Sequence, residues 1–421
     1  MSHASFRAMF VQPKAVWVVA FACVVSFMGI GLVDPILPAI SDKLGASQSQ
    51  TELLFTSYLV VTAIAMLVTG WVSSRVGPKW TLISGLTLIV AFAAAAGSVD
   101  SINGIIGFRA GWGLGNALFI ATSLAVIVAS ATGGFAGAIV LYETALGIGI
   151  GLGPLLGGAL GNVSWRGPFY GVSVLMGIAL LATLFLLPAT PKPARQQKLR
   201  EPLLALRHRS LAITSVVGVL YNWGFFTVLG FTPFIMGITS PIQLGVVFFG
   251  WGVLLAVFAV WGAPALRERF GTAPTLYGNF VLMSLDIVAI AIWSDHPNVV
   301  IAATIVAGIF CGVNNTLVTA AVMSIAPVER PVASAAYGFV RFIGGGLAPF
   351  VATKLAEHVN THLPFWIAAA TVLAAAPVLG LVHRALAASD RGEVVQPELD
   401  MFDELERENE LEVAAGIGNE S

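Results

Sequence analysis

The sequence predicts an all-α membrane protein of twelve transmembrane helices arranged as two six-helix halves, and three observations carry that expectation. Of its 421 residues 57% are hydrophobic and 10% charged, whereas a soluble domain carries roughly a quarter charged residues. Apolar stretches of span length, about 20 residues each, recur along the chain between short polar breaks. Short motifs of the first half return in the second at a nearly constant offset.

Breaks at charge, Pro and Gly clusters place spans near 16–38, 52–73, 80–98, 102–129, 134–161 and 166–187, then near 211–237, 242–264, 275–293, 298–325, 332–356 and 364–384. These divide the chain into a first half, 1–187, a linker, 188–210, a second half, 211–384, and a tail, 385–421. The first apolar stretch follows Arg7 and Lys14 but ends at Asp34-Pro35 without a small-residue cleavage site, so it reads as a helix and not a signal peptide. Cys23 and Cys311 both lie inside apolar runs and read as membrane-buried thiols.

Cytoplasmic loops retain an excess of Lys and Arg. With the N-terminus inside, one face collects Arg7, Lys14, Arg75, Lys79, Arg267, Arg269, Arg330, Arg384 and the linker, and the other only Lys43, Arg166 and Lys354. Both termini are therefore expected in the cytoplasm, in a multi-pass plasma-membrane protein. The linker sets Lys192, Arg195, Lys198, Arg200, Arg207 and Arg209 against Glu201, a basic segment suited to anionic lipid. Asp390 to Ser421 holds half of all Asp and Glu residues and reads as a solvated acidic tail.

Arg75-Val76-Gly77, then Thr81-Leu82, returns as Arg269-Phe270-Gly271, then Thr275-Leu276. Tyr142 aligns with Tyr337, Gly153-Pro154 with Ala348-Pro349, and Gly113, Asn116 and Leu118 with Gly312, Asn315 and Leu317. A common offset implies duplication of a six-helix unit in one orientation, an architecture suited to alternating access.

The segment from Gly70 through Arg75, Gly77 and Lys79 resembles the loop motif after helix two of the major facilitator superfamily. Phe108-Arg109 through Gly113 and Gly115 looks like its helix-four arginine motif, and Asp34-Pro35 through Pro38 like its helix-one acidic signature. Gly147, Gly149, Gly151, Gly153-Pro154 and Gly157-Gly158 are similar to the glycine-rich helix five of its drug:proton antiporters. The loop motif departs from the family at Ser74, where an aspartate is usual, and at Pro78; Glu268 stands at the matching place in the second copy as a partial substitute.

Glu143, Gly147, Gly151, Pro154 and Gly158 share one helix face. Small residues there allow close backbone approach, which serves tight packing and a moving contact between halves alike. Gly70, Arg75, Gly77 and Lys79 supply a turn and positive charge at a membrane face, either as a topology determinant or as part of a gate.

Ionisable residues inside spans are costly and normally paired or functional, and four stand out: Asp34, Arg109, Glu143 and Arg341. Asp34 and Arg109 sit at comparable depth on antiparallel helices. A carboxylate beside an arginine gains or loses its proton as the arginine leaves or returns, the coupling a proton-driven carrier requires; a structural ion pair is the other reading. Glu143 and Arg341 share a mid-membrane depth, to pair across a cavity or to serve separately, Glu143 taking a proton or meeting a cation and Arg341 meeting an anionic group on the substrate. Asp286, on helix nine, reads as a peripheral acid. The resemblance implies that helices one, four, seven and ten wall a cavity, offering Phe27, Trp112, Asn116, Asn222, Trp223, Phe226, Asn314 and Asn315. Such aromatic bodies with a few amides suit amphiphilic ligands.

No metal-ligand cluster, phosphate-binding GxxxxGK[ST] loop or nucleophile elbow occurs, and net charge is −1, which removes support for an ATP-driven pump, an enzyme, a cofactor protein or a nucleic-acid binder. The sequence leads to a monomeric transporter in contact with lipid, exchanging protons for hydrophobic or amphiphilic small molecules. An exporter of one metabolite or a flippase for a lipid-linked sugar is the alternative within transport, and a sensor or scaffold acting through the acidic tail the alternative outside it.

Overall fold

A computed structural model describes residues 12–130, 134–188 and 195–393, the side chains of residues 30, 34, 128, 129, 134–140, 143 and 150 excepted. Among the described residues there is no strand, and eleven helices are long and apolar enough to cross a membrane. The first expected span is the shorter helix Lys14–Gly31, extended by a 3-10 turn, Asp34–Ile36, and the helix Leu37–Leu44. At about 1.5 Å per residue its 18 residues reach close to the hydrocarbon thickness alone.

Local sequence sets the helix ends. Span two, Gln48–Val76, starts at a capping box in which Ser47 Oγ accepts from Gln50 N–H and Gln50 Oε1 accepts from Ser47 N–H. It stops at Gly77, whose φ of 96° disfavours any L side chain, and Gly271 ends span eight in the same way with φ 86°. The two turns that the repeat aligned are thus the same turn. Span three is Pro78–Ser98, span four Ile102–Ser130, span five Gly134–Val163 and span six Gly167–Leu186. In the second half, span seven is Arg209–Ile235 and span eight Pro241–Phe270, which includes a π-helical turn over Phe258–Gly262. Spans nine to twelve are Thr272–Ile292, Pro297–Ile325, Arg330–His358 and Leu363–Gly380.

The halves repeat one packing scheme. Span one packs on four, five and six, span two on four, and span three on four and six; span seven packs on ten, eleven and twelve, span eight on ten, and span nine on ten and twelve. Between halves, span five lies along eight and span two along eleven, an exchange of equivalent elements. Side chains on the outer surface are apolar, as with Phe185 at 77% exposure, and Trp17, Trp80 and Trp261 are exposed near the linker end. An apolar exterior with interfacial tryptophans is what lipid requires.

Span five has two bare faces. Gly149, Gly153 and Gly157 press on the backbone at Val24, Met28 and Leu32 of span one, an i, i+4 ladder on both helices. Gly147, Gly151 and Gly158 meet Ala256, Gly252 and Gly245 of span eight, and a β-carbon on Gly245 would lie 2.5 Å from the Pro154 carbonyl oxygen. The face singled out in the sequence is therefore the seam between the halves.

Residues 383–390 form a further helix, His383–Asp390, whose Leu386 is buried against the bundle. The remainder of the tail, and most of the linker before Arg195, lie outside the described residues.

Overpacking of a close helix contact costs about 1–3 kcal/mol. Gly157→Ala, whose β-carbon would overlap the Leu32 carbonyl, is expected to lower the melting temperature of the purified protein; Gly177→Ala, which meets open space, is expected to leave it unchanged or raise it.

Candidate functional site: two arginine centres and the elements that seal them

Span four carries Arg109, Trp112, Gly113 and Asn116 on one buried stripe, at helical spacings of three, one and three. Arg109 is fully buried. Its guanidinium carbon lies 4.3 Å from the Tyr58 ring centroid and 4.5 Å from that of Trp112, and its Nε–H donates to the Leu54 carbonyl at 3.3 Å. A cation between two aromatic faces is held by their quadrupoles where water is excluded. Trp112 packs on Gly29 of span one, and Asn116 Oδ1 accepts from Ser26 Oγ at 2.8 Å. Thr62 Oγ1 bridges to the Gly113 carbonyl at 3.0 Å. Trp112 and Asn116 thus lie inside the first half, locked on spans one and two. Phe27 meets Tyr142 edge to face at 5.6 Å on the contact of span one with span five.

The second centre joins spans seven, ten and eleven. Arg341 is half-buried; its Nε–H donates to Asn222 Oδ1 at 3.2 Å and its Nη2–H to Asn315 Oδ1 at 2.9 Å. Tyr221 OH also donates to Asn315 Oδ1, at 2.9 Å, and lies 3.4 Å from Tyr337 OH. Asn222 Nδ2 is satisfied by the Gly218 carbonyl at 2.7 Å, so its carbonyl end is turned to the arginine. Planar amides fix a guanidinium in direction, which a lysine would not accept.

The neighbouring residue, Asn314, faces the other way: its Oδ1 accepts from Asn279 Nδ2 of span nine at 2.8 Å and its Nδ2–H reaches Met283 Sδ at 3.3 Å. Phe226 packs on Phe225 and on Gly345 of span eleven, and Trp223 is half-buried against the core. Asp286 lies on span nine, away from the first half, with Oδ2 buried. The side chains of Asp34 and Glu143 lie outside the described residues. Their helices place Asp34 at the start of the 3-10 turn after span one and Glu143 within span five, one turn before Gly147.

The loop motif is an anchoring point for the linker. Lys79 Nζ donates to the carbonyls of Leu184 and Leu187, capping the last turn of span six. Arg75 stacks on Trp71 and donates to the Gln197 carbonyl at 3.2 Å, and the Gln197 N–H donates to Ser74 Oγ at 3.3 Å. Gln197 fills the space that Gly70 leaves open. Ser74, where the family has its acid, thus accepts from the linker, and Arg195 carries the linker on to Glu329 at the start of span eleven, 2.8 Å away.

In the second copy the acid comes from elsewhere. Glu268 is exposed, while Asp390 accepts from Thr272 N–H and Oγ1–H, both at 2.7 Å, and pairs with Arg267 at 3.0 Å. Burial opposes its charge, but the Thr272 and Arg267 donors prevail and hold the carboxyl below its usual range. A depressed carboxylate contributes stability above the ordinary range and loses it as pH falls through the lowered value, so the clasp is intact at neutral pH.

Two acids on the contact of span two with span eleven escaped the sequence reading. Glu52, fully buried, sits within 3.0 Å of the position a β-carbon on Gly230 would take, where spans two, seven and eleven meet. Span two begins at Gln48, earlier than its hydropathy marks, which turns Glu52 from a boundary residue into an interior one. Glu357 reaches span two from the far end of span eleven.

Removal of a helix cap costs about 1 kcal/mol. Asp390→Ala, which strips the cap from span nine, is expected to lower thermal stability at pH 7, whereas Glu268→Gln is expected to leave the melting curve in place.

The profile of the Major Facilitator Superfamily matches residues 19–294 and 239–398. The multidrug efflux protein YfmO of Bacillus subtilis is 51% identical over 381 residues, 90% of this chain and 96% of that protein. A putative multidrug resistance protein, MdtD, of Yersinia enterocolitica is 27% identical over 175 residues, 41% of this chain and 37% of that protein. Among solved structures, the D-xylose-proton symporter superimposes with a TM-score of 0.74 at 14% identity, over 90% of this chain and 99% of its own. The human organic anion transporter MFSD10 does so at 0.68 and 18%, over 87% and 99%. At such identities the structures speak for the fold alone; with the profile and the 51% relative, the repeated packing scheme has one reading: this chain belongs to the Major Facilitator Superfamily.

Proposed function

We propose that the protein exports hydrophobic or amphiphilic small molecules in exchange for protons, working by alternating access as a monomer in the plasma membrane with both termini and the linker in the cytoplasm. The observation that carries this reading is the division of labour between the two arginines. Arg109 is sealed between Tyr58 and Trp112, where it serves charge coupling, while Arg341 is half-buried among amides and phenols, where it can face cargo. YfmO, at 51% identity over nearly its whole length, is named as a multidrug efflux protein, which supports the same cargo class. The basic linker end supports the orientation.

Asp34 and Glu143 are the proton carriers in this scheme, with Arg109 biasing Asp34 by its nearness in sequence depth. Cargo would lie against Phe226, Trp223 and the Arg341 network, at the edge of the second half. Export of an anionic metabolite or lipid-linked sugar is the second reading, favoured by Asn222 and Asn315 orienting the guanidinium.

Substrate-induced proton movement in proteoliposomes, screened over cationic, neutral and anionic amphiphiles, decides between them. Cationic or neutral compounds that move protons support drug export; movement with anionic ones alone supports the second reading; silence throughout overturns both. Arg109→Lys keeps the charge but loses the planar stack between two rings, and is expected to cut proton-coupled flux at least tenfold while Arg341→Lys shifts cargo preference. Truncation after Glu393 keeps the Asp390 clasp and is expected to retain flux; loss of flux would instead favour a role for the acidic tail.

A further inference from the structure

At the end of the bundle opposite the linker, the two seams between the halves are built from different chemistry. The seam of span five with span eight is closed by Gly158 against Gly245 and Pro241, backbone on backbone. The seam of span two with span eleven is closed by a charge. Glu357 Oε1 accepts from the Ser49 backbone N–H at 2.9 Å, and Oε2 accepts from Lys354 Nζ at 3.3 Å.

The Ser49 N–H is available for a reason visible in the sequence. The first turn of a helix leaves its N–H groups without intrahelical partners, and the capping box of span two satisfies only those of Gln50 and Ser47 itself. Ser49, at the second helical position, is left to an acceptor from another element, and the helix end favours a negative one. Span eleven provides it from 308 positions away. Below it, Thr56 Oγ1 donates to the Gly346 carbonyl at 2.6 Å and Met66 packs on Gly338, so the same seam continues downward as neutral contacts.

We propose that Glu357 is a positioning residue for alternating access: its carboxylate on the N-terminus of span two is the latch that holds the halves together at this face and is broken when that face opens. A glycine seam has no such reversible bond to break, since it trades only packing, whereas the carboxylate and the N–H recover hydrogen bonds from water as they part. The face therefore opens along spans two and eleven, with the five–eight contact as its fulcrum. The latch rests on the transporter fold and not on the cargo.

The test is thiol labelling of purified protein without substrate. Ser49→Cys adds a reporter that is 1% exposed in the closed seam, keeps the backbone donor, and stands against the buried native Cys23 and Cys311. Glu357→Gln in that background is expected to raise the rate of maleimide labelling about fivefold or more, as loss of one charge-assisted hydrogen bond implies, and to change turnover while the apparent KM stays within about twofold. Lys354→Met, which spares the Ser49 contact, is expected to leave labelling near the parent rate. Should Glu357→Gln fail to fold, Glu357→Asp, one methylene shorter, is expected to give an intermediate rise. Labelling unchanged on removal of the carboxylate, or raised equally by Lys354→Met, overturns the latch, and does so whatever the transport assays report about cargo.

Discussion

A transport path between two helical bundles must be closed at one end by parts that can still separate, and span five answers that constraint by lining two of its faces with glycines. One face grips span one through Gly149, Gly153 and Gly157, making the first half a rigid unit. The other lies on span eight through Gly147, Gly151 and Gly158. In lipid, where burial of apolar surface gives no advantage over lipid contact, helix association rests on close packing. The absence of β-carbons is what makes the packing close. The positions of spans one and eight, and of everything stacked on them, follow.

Against that steric frame the polar groups are distributed unequally. The first half closes over its arginine with two rings and a carbonyl, and its amide, Asn116, is tied to Ser26. The second half leaves its arginine half-buried and surrounds it with Asn222, Asn315 and two tyrosine hydroxyls that polarise one another. The same scaffold thus encloses one charge and leaves its counterpart partly open. At the linker end each copy of the loop motif is completed by a substituted part: Ser74 with Gln197 of the linker in one, Asp390 in the other.

Architecture was legible in the sequence because each span is a long local pattern and the duplication doubles every signal. The turns at Gly77 and Gly271 could be aligned before their dihedrals were known, and the small-residue face of span five could be drawn from its spacing. What sequence could not supply was direction and distance. Asn314 and Asn315 look equivalent on paper, yet one residue turns the side chain by about 100° on a helix, and they serve different neighbours. Asp390 reads as part of the acidic tail and Glu357 carries no signal, since their partners lie more than a hundred positions away. Glu52 was hidden by a helix that begins at a polar turn, where hydropathy is low although the capping box is plain.

The repeated packing scheme has an implication for ancestry. Two copies that contact each other by exchanging the same elements, five on eight and two on eleven, are related as the protomers of an isologous dimer are. Read in that light the linker is a covalent tether on a symmetric pair, and each place where the copies have parted company is a departure from symmetry that selection had to introduce. Those departures, an enclosed against an open arginine and a glycine seam against an ionic one, are where the polarity of vectorial movement is written.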